Sequence, residues 1–212
     1  MAGNIQKVNL ANFKKEVGEY TTLTIKISNE WYEVYKNMSK IPTYWTGKLA
    51  NKTISVWNNN LNLIETNSRY FQNTITDILL QIVDQYQAME NGKPFDSKCG
   101  LATYPYGKQI PLTDESTIKF DKTNVETILK NIESSRISLN AKYNDLINRL
   151  DSMQGYSDSL KTLSITYKEK GTELKKVLQD MIHNIKQYVA DYVSFVNTTE
   201  SGFNEEDVKR AK

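Results

Sequence analysis

The sequence predicts an all-α protein, two long helix-turn-helix hairpins packed antiparallel as an elongated four-helix bundle. Three observations lead there. Apolar residues recur in alternating steps of three and four over most of the chain, the spacing that gathers them on one face of a helix. Helix breakers are concentrated, with Pro94, Pro105 and Pro111 all inside the stretch 92–117. The pattern after residue 118 repeats the pattern before residue 91, so a whole hairpin is duplicated rather than a short solenoid unit.

The first helix is expected over about residues 8 to 42. Its seam is Leu10, Phe13, Val17, Tyr20, Ile27, Trp31, Val34, Met38 and Ile41, with Thr24 as the polar exception. At ~1.5 Å per residue it makes a rod of about 50 Å. Pro42 and Gly47 then bracket Tyr44-Trp45-Thr46, and a tight reversal follows from their backbone chemistry. The returning helix runs from Gly47 or Leu49 to Met89, with Ile54, Trp57, Leu61, Ile64, Phe71, Ile75, Ile78, Ile82, Tyr86 and Met89 on its seam and Asn91-Gly92 as its cap. Asn58-Asn59-Asn60 weakens helix propensity, but Trp57 and Leu61 keep the rhythm. Folding the hairpin about residues 45 to 46 brings Thr24 level with Ser68, two small polar residues in a long apolar seam.

Residues 92–117 cannot form a long helix. They still hold Phe95, Leu101, Tyr104, Tyr106, Ile110 and Leu112, too much apolar surface for a free linker, so an ordered connection lying on the helices is expected. Thr103 to Lys108 has the make-up of a small β-hairpin turn. The stretch is far longer than adjacent hairpins need. Its ~26 residues reach at most about 85 Å at ~3.3 Å each, enough to cross a rod of about 50 Å. That length predicts a crossing from one end of the bundle to the other, hence antiparallel hairpins.

The second hairpin opens at Ile118-Lys119-Phe120, an echo of Val8-Asn9-Leu10. Its first helix carries Val125, Ile128, Ile132, Leu139, Tyr143, Leu146, Leu150 and Met153. Met153-Gln154-Gly155 stands where Trp45-Thr46-Gly47 stood. The last helix carries Tyr156, Leu160, Leu163, Tyr167, Leu174, Val177, Met181, Ile185, Tyr188, Tyr192 and Phe195. Gly171, level with Ser135 and Arg136 when measured from the turn, is its weak point. The domain plan is therefore a hairpin at 1–91, a connection at 92–117, a hairpin at 118–200 and a tail at 201–212.

A helix, a Trp-x-Gly turn and a returning helix resemble the WXG family of small proteins exported by type VII secretion systems. Family members are ordinarily single hairpins that pair as dimers, so this chain looks like two such hairpins joined, an intramolecular pseudo-dimer that is itself monomeric or homodimeric. Such substrates carry an aromatic residue, usually Tyr, four positions before an acid after the last helix. Phe203 and Asp207 fill that pattern here, with Phe in place of Tyr, and Met153 replaces Trp in the second turn. In an antiparallel pair the Trp45 turn lies where the last helix finishes. Trp45, Gly47, Phe203 and Asp207 are therefore expected to form a composite surface, whose partner by resemblance is the secretion ATPase. The other reading is that Trp45 simply caps the hydrophobic seam. The resemblance also implies a larger toxin effector or another WXG-like protein as possible companions.

Composition bounds the other function classes. A net charge of +2 with scattered basic residues gives no reason to expect nucleic acid. Met1 to Lys7 lacks the apolar core of a signal peptide, and no apolar run is long enough for a transmembrane helix. Export without a cleaved signal peptide, from a cytoplasmic pool to the outside or the cell surface, is the localisation the resemblance implies. The one histidine, His183, has only Asp180 and Gln187 at helical spacing, and the one cysteine, Cys99, lies in the connection. No nucleophile with a base, phosphate loop or metal motif is present, so no enzyme, cofactor or metal is expected. The alternative is a structural or membrane-active helical bundle, such as a component of a pore-forming toxin.

Overall fold

The structure, a computed structural model, describes residues 9–91 and 106–210. Asn9 caps α1 (Leu10–Met38) by accepting the Asn12 backbone N–H at 3.1 Å. Every seam residue expected on this helix is buried, from Leu10 through Trp31 to Met38 and on to Ile41. Pro42 opens a second short helix, α2 (Ile41–Tyr44), where its missing N–H costs nothing. After the short strand β1 (Trp45–Thr46) the chain returns as α3 (Lys48–Arg69), a π-helical turn (Tyr70–Ile75) and α4 (Thr76–Asn91).

The π turn changes the seam. A π turn adds a residue to the helix and rotates the residues C-terminal to it. Up to Phe71 the expected positions point inward, except that Leu61 is only partly buried. Beyond it Leu79 and Val83 are buried beside Ile82, Ile78 and Tyr86 are partly buried, and Met89 is 79% exposed. The irregularity is held in place from across the bundle. Tyr20 Oη donates to the Phe71 carbonyl at 2.8 Å, inside the core.

The second hairpin begins with strand β2 (Lys119–Phe120) and α5 (Lys122–Met153), whose N-cap Asp121 accepts the Asn124 N–H at 3.1 Å. All eight expected seam residues of α5 are buried. The reversal is broader than the sequence suggests: a 3-10 turn (Gln154–Tyr156), then α6 (Asp158–Thr162), and only then α7 (Ser164–Arg210). The extra turn shifts the register of the returning helix. Lys168 pairs with Asp151 at 3.0 Å and Lys175 with Asn144 at 2.9 Å. Gly171 therefore faces Ile147, not Ser135 and Arg136; a Cβ there would stand 2.7 Å from Ile147 Cδ1. On α7 the seam is wider than expected, with Leu178, Ile182 and Val189 buried as well.

The hairpins lie antiparallel. Along α1 and α5, Phe13 stacks on Tyr156, Glu19 pairs with Arg149, Glu30 with Lys142, and Asn37 with Asn131. The numbers rise on one helix as they fall on the other. Helix α3 runs beside α7, and α7 beside α5, closing three edges of a four-helix square. Along the fourth edge α1 and α3 touch sparsely; Tyr106 and Gly107 lie between them, and residues 108–115 bond to α3, with Tyr106 and Ile110 buried. The expected β-hairpin turn at Thr103 to Lys108 falls partly outside the described residues, as does Cys99. Residues 106–108 belong to no strand.

The Thr24 and Ser68 pair is buried as expected, but Thr24 Oγ1 donates to its own helix at Thr21 O. The polar layer of the core lies nearby instead. Trp31 Nε1 donates to Tyr143 Oη at 2.8 Å, and Ser28, Tyr106 and Gln72 form a hydrogen-bonded group.

Candidate interaction surface

The Trp45 turn is held to the start of the second hairpin. Trp45 leaves α2 in an extended conformation, and β1 pairs antiparallel with β2, Trp45 opposite Phe120 and Thr46 opposite Lys119. The Asp121 N–H donates to Tyr44 O at 2.9 Å, and Lys119 Nζ donates to Thr43 O at 2.7 Å. Two strands of two residues each carry little stability alone; here they join the two hairpins at one end. Gly47 has φ +102°, a backbone angle that side chains resist. A Cβ at that position would meet only Ile118 Cγ1 at 3.9 Å, so the angle and not the space requires glycine. The Gly47 N–H donates to Thr113 Oγ1 at 3.1 Å and so secures the first turn of α3.

Trp45 is not the exposed aromatic that a composite recognition surface needs. Its side chain is 0% exposed, edge-on to Phe120 and Tyr192 with ring centroids 5.2 and 5.8 Å away. Burial raises the Tyr192 phenol pKa. The reason is the wide flat indole, which closes the bundle end where α2, β2 and α7 converge. Its Nε1–H is buried with no hydrogen-bond partner among the described residues. From this buried ring the aromatics step outward through Tyr192 to Phe195, which is 57% exposed.

The expected tail is also different in kind. Helix α7 does not stop near residue 200 but continues to Arg210. Phe203 and Asp207 therefore stand one helical turn apart on the same side of α7. At ~1.5 Å per residue, position 203 lies about 16 Å along the helix axis past Tyr192. Trp45 sits at the end of the bundle from which α7 runs on, as an antiparallel pair requires.

The second turn is no copy of the first. Met153 is buried like Trp45, yet Gly155 has no positive φ, and a Cβ added to it would meet no atom within 4 Å. Beside it, Tyr167 and Gln154 both donate to the Asp151 carboxylate, and Lys168 pairs with it. Burial, with the hydrogen bond to Asp151 second, pushes the Tyr167 phenol up to about 12.

His183 is exposed on α7, and Gln187 donates to Asp191 rather than to the imidazole. Among the described residues no three His, Cys, Asp or Glu side chains are grouped to hold a metal. Among the same residues no helix is long and apolar enough to cross a membrane. No protein-family model, curated protein or solved structure matches the chain.

Sequence reasoning missed Asn51 and Asn58. Both amides point from α3 onto residues 110–115 and pair with the main chain there. The signal that could have found them is asparagine at two positions seven apart in a helix, where it has no propensity reason to be.

Proposed function

We propose that this chain is a non-enzymatic, exported helical protein of a bacterial type VII secretion system. It acts as a substrate, or as a helper that escorts a larger effector, and it works through binding. The observation that carries the reading is the path of α7, which runs on past the Trp45 end and sets Phe203 and Asp207 one turn apart. In this reading the secretion ATPase engages that last part of α7, because an aromatic and an acid on one helical face suit a groove that takes a helix. Trp45 and Gly47 serve recognition indirectly: by packing Trp45 against Tyr192 the turn fixes where α7 emerges. The antiparallel pairing of two hairpins supports a pseudo-dimer, with the second hairpin in the place of a partner chain. The localisation in this reading is cytoplasmic before export and extracellular or surface-bound afterwards.

The test is export itself. The chain is expressed in a bacterium with a type VII system, with its secretion ATPase intact or deleted. The reading expects the protein in the culture supernatant of the first strain and retained in the cells of the second. Retention in both, or release in both, contradicts it.

A further inference from the structure

The main chain of residues 110–113 is clamped to α3 at two points. Asn58 Nδ2 donates to Ile110 O at 2.9 Å, and its Oδ1 accepts the Ile110 N–H at 2.8 Å. Asn51 holds Thr113 in the same way, donating to its carbonyl at 3.0 Å and accepting its N–H at 2.7 Å. Between these clasps Leu112 is held outward, 61% exposed. Leu112 and Glu115 form one wall of a groove of about 570 Å³. Its other walls are α3 and α7, with Lys52 Nζ 5.9 Å from the centre of the Tyr188 ring. Small-molecule sites have volumes of ~300–1,000 Å³, but they are mostly apolar, and this groove is not.

Helix α3 presents Lys48, Lys52, Ser55 and Asn59 to the groove, in steps of four, three and four that keep them on one face. Asn184 and Tyr188 enter from α7, one turn apart. The side chains of Lys48, Ser55, Asn59 and Asn184 have no hydrogen-bond or ion-pair partner among the described residues. The Glu115 carboxylate, by contrast, accepts from Asn51 Nδ2 at 3.1 Å. Two lysines against one carboxylate leave the groove with one positive charge in excess.

These groups define what fits. A primary amide sets a donor beside an acceptor, the complement of two neighbouring hydroxyls. Asn59 and Asn184 supply two such pairs. Leu112 and the Tyr188 ring offer enough apolar surface for the C–H face of one sugar ring, and too little for an apolar ligand. The excess positive charge calls for one acidic substituent, which a lysine binds as a point charge.

We propose that the groove between α3, α7 and residues 112–115 binds a sugar carrying one acidic group. Asn59 and Asn184 hold ring hydroxyls, Lys48 and Lys52 hold the acid, and Leu112 packs on the C–H face of the ring. The clasps at Asn51 and Asn58 fix the wall in advance, so binding does not have to order it. The site is independent of the secretion reading.

The probes are glucuronate and glucose 6-phosphate, each titrated into the isotope-labelled full-length chain and followed by its NMR amide resonances. A few polar contacts to one small sugar correspond to a Kd of about 1 mM. At least one probe should give saturable shifts of the Asn59 and Asn184 side-chain amides, and which one does so names the acid as carboxylate or phosphate. The Met153 N–H, at the far end of the bundle, should not move. Lys52→Ala and Asn184→Ala should each weaken binding at least tenfold; both side chains are exposed, so the fold survives their loss. Glucose and inorganic phosphate, which each lack half of the contacts, should bind at least tenfold more weakly than the acidic sugar. No saturable shift from either probe by about 10 mM overturns the proposal. Equal binding of inorganic phosphate also overturns it, marking an adventitious ion only. Equal binding of glucose, or binding that survives Asn184→Ala, overturns it too.

Discussion

The Trp31 indole N–H donates to the Tyr143 hydroxyl at 2.8 Å, and both side chains are fully buried. This bond joins the two hairpins at mid-bundle. Tyr143→Phe keeps the ring and removes the acceptor, leaving a buried donor unpaired. It should cost about 1–3 kcal/mol in urea denaturation. Trp31→Ala, which also opens a cavity, should cost roughly 3–5 kcal/mol. Parental stability in Tyr143→Phe would show that the bond does not hold the hairpins.

The glycines separate cleanly. Gly107→Ala meets both a positive φ and two side chains at 2.7 Å, so it should lower stability by more than about 1 kcal/mol. Gly155→Ala meets neither and should leave the thermal midpoint unchanged or raise it slightly. Comparing the two melts checks the distinction, and an equal loss in both would refute it.

Acid should loosen the contact between the hairpins. Burial pushes the Glu30 carboxyl up, but hydrogen bonds from Lys142, Ser138 and Ser135 outweigh it and leave the pKa below the ordinary 4.5. A lowered folded-state pKa means stabilisation that is complete above the ordinary value and lost as pH falls through the lower one. The thermal midpoint should therefore drop as pH falls from about 5 to about 3, and Glu30→Gln should drop less steeply over that range. An equal slope in the variant would assign the acid sensitivity elsewhere.

The antiparallel arrangement has a direct chemical check. Asn131 Nδ2 donates to Asn37 Oδ1 at 3.1 Å, so cysteines at those two positions, with Cys99→Ser, should be joined by a short bismaleimide within one chain. Cysteines at Met38 and Met153, at opposite ends, should not. The reverse pattern would place both turns at one end.

Much of this fold is legible from hydrophobic spacing, because each long helix buries one face and records it every three or four residues. Trp31, Trp57, Tyr143 and Leu150 fall into the core on that ground alone, and the length of 92–117 points to the antiparallel crossing. Three features leave no such record. The π turn at Tyr70–Ile75 is stabilised by Tyr20, 51 residues before the Phe71 carbonyl it binds, so nothing local announces that Met89 turns outward. The second reversal gains α6 because Ser157 caps a new helix inside a stretch that reads as one continuous pattern. For Trp45 the spacing leaves both a partner surface and a cap on the seam open; its burial depends on Phe120 and Tyr192, which arrive from the other hairpin.

The most direct test of the central claim is the export of chains altered only on the last part of α7. Phe203→Ala and Asp207→Ala should each melt like the parent, since both follow Val189, the last buried core residue described on α7, yet each should lose most of its ATPase-dependent appearance in the culture supernatant. Export of both folded variants at the parental level would contradict recognition through α7.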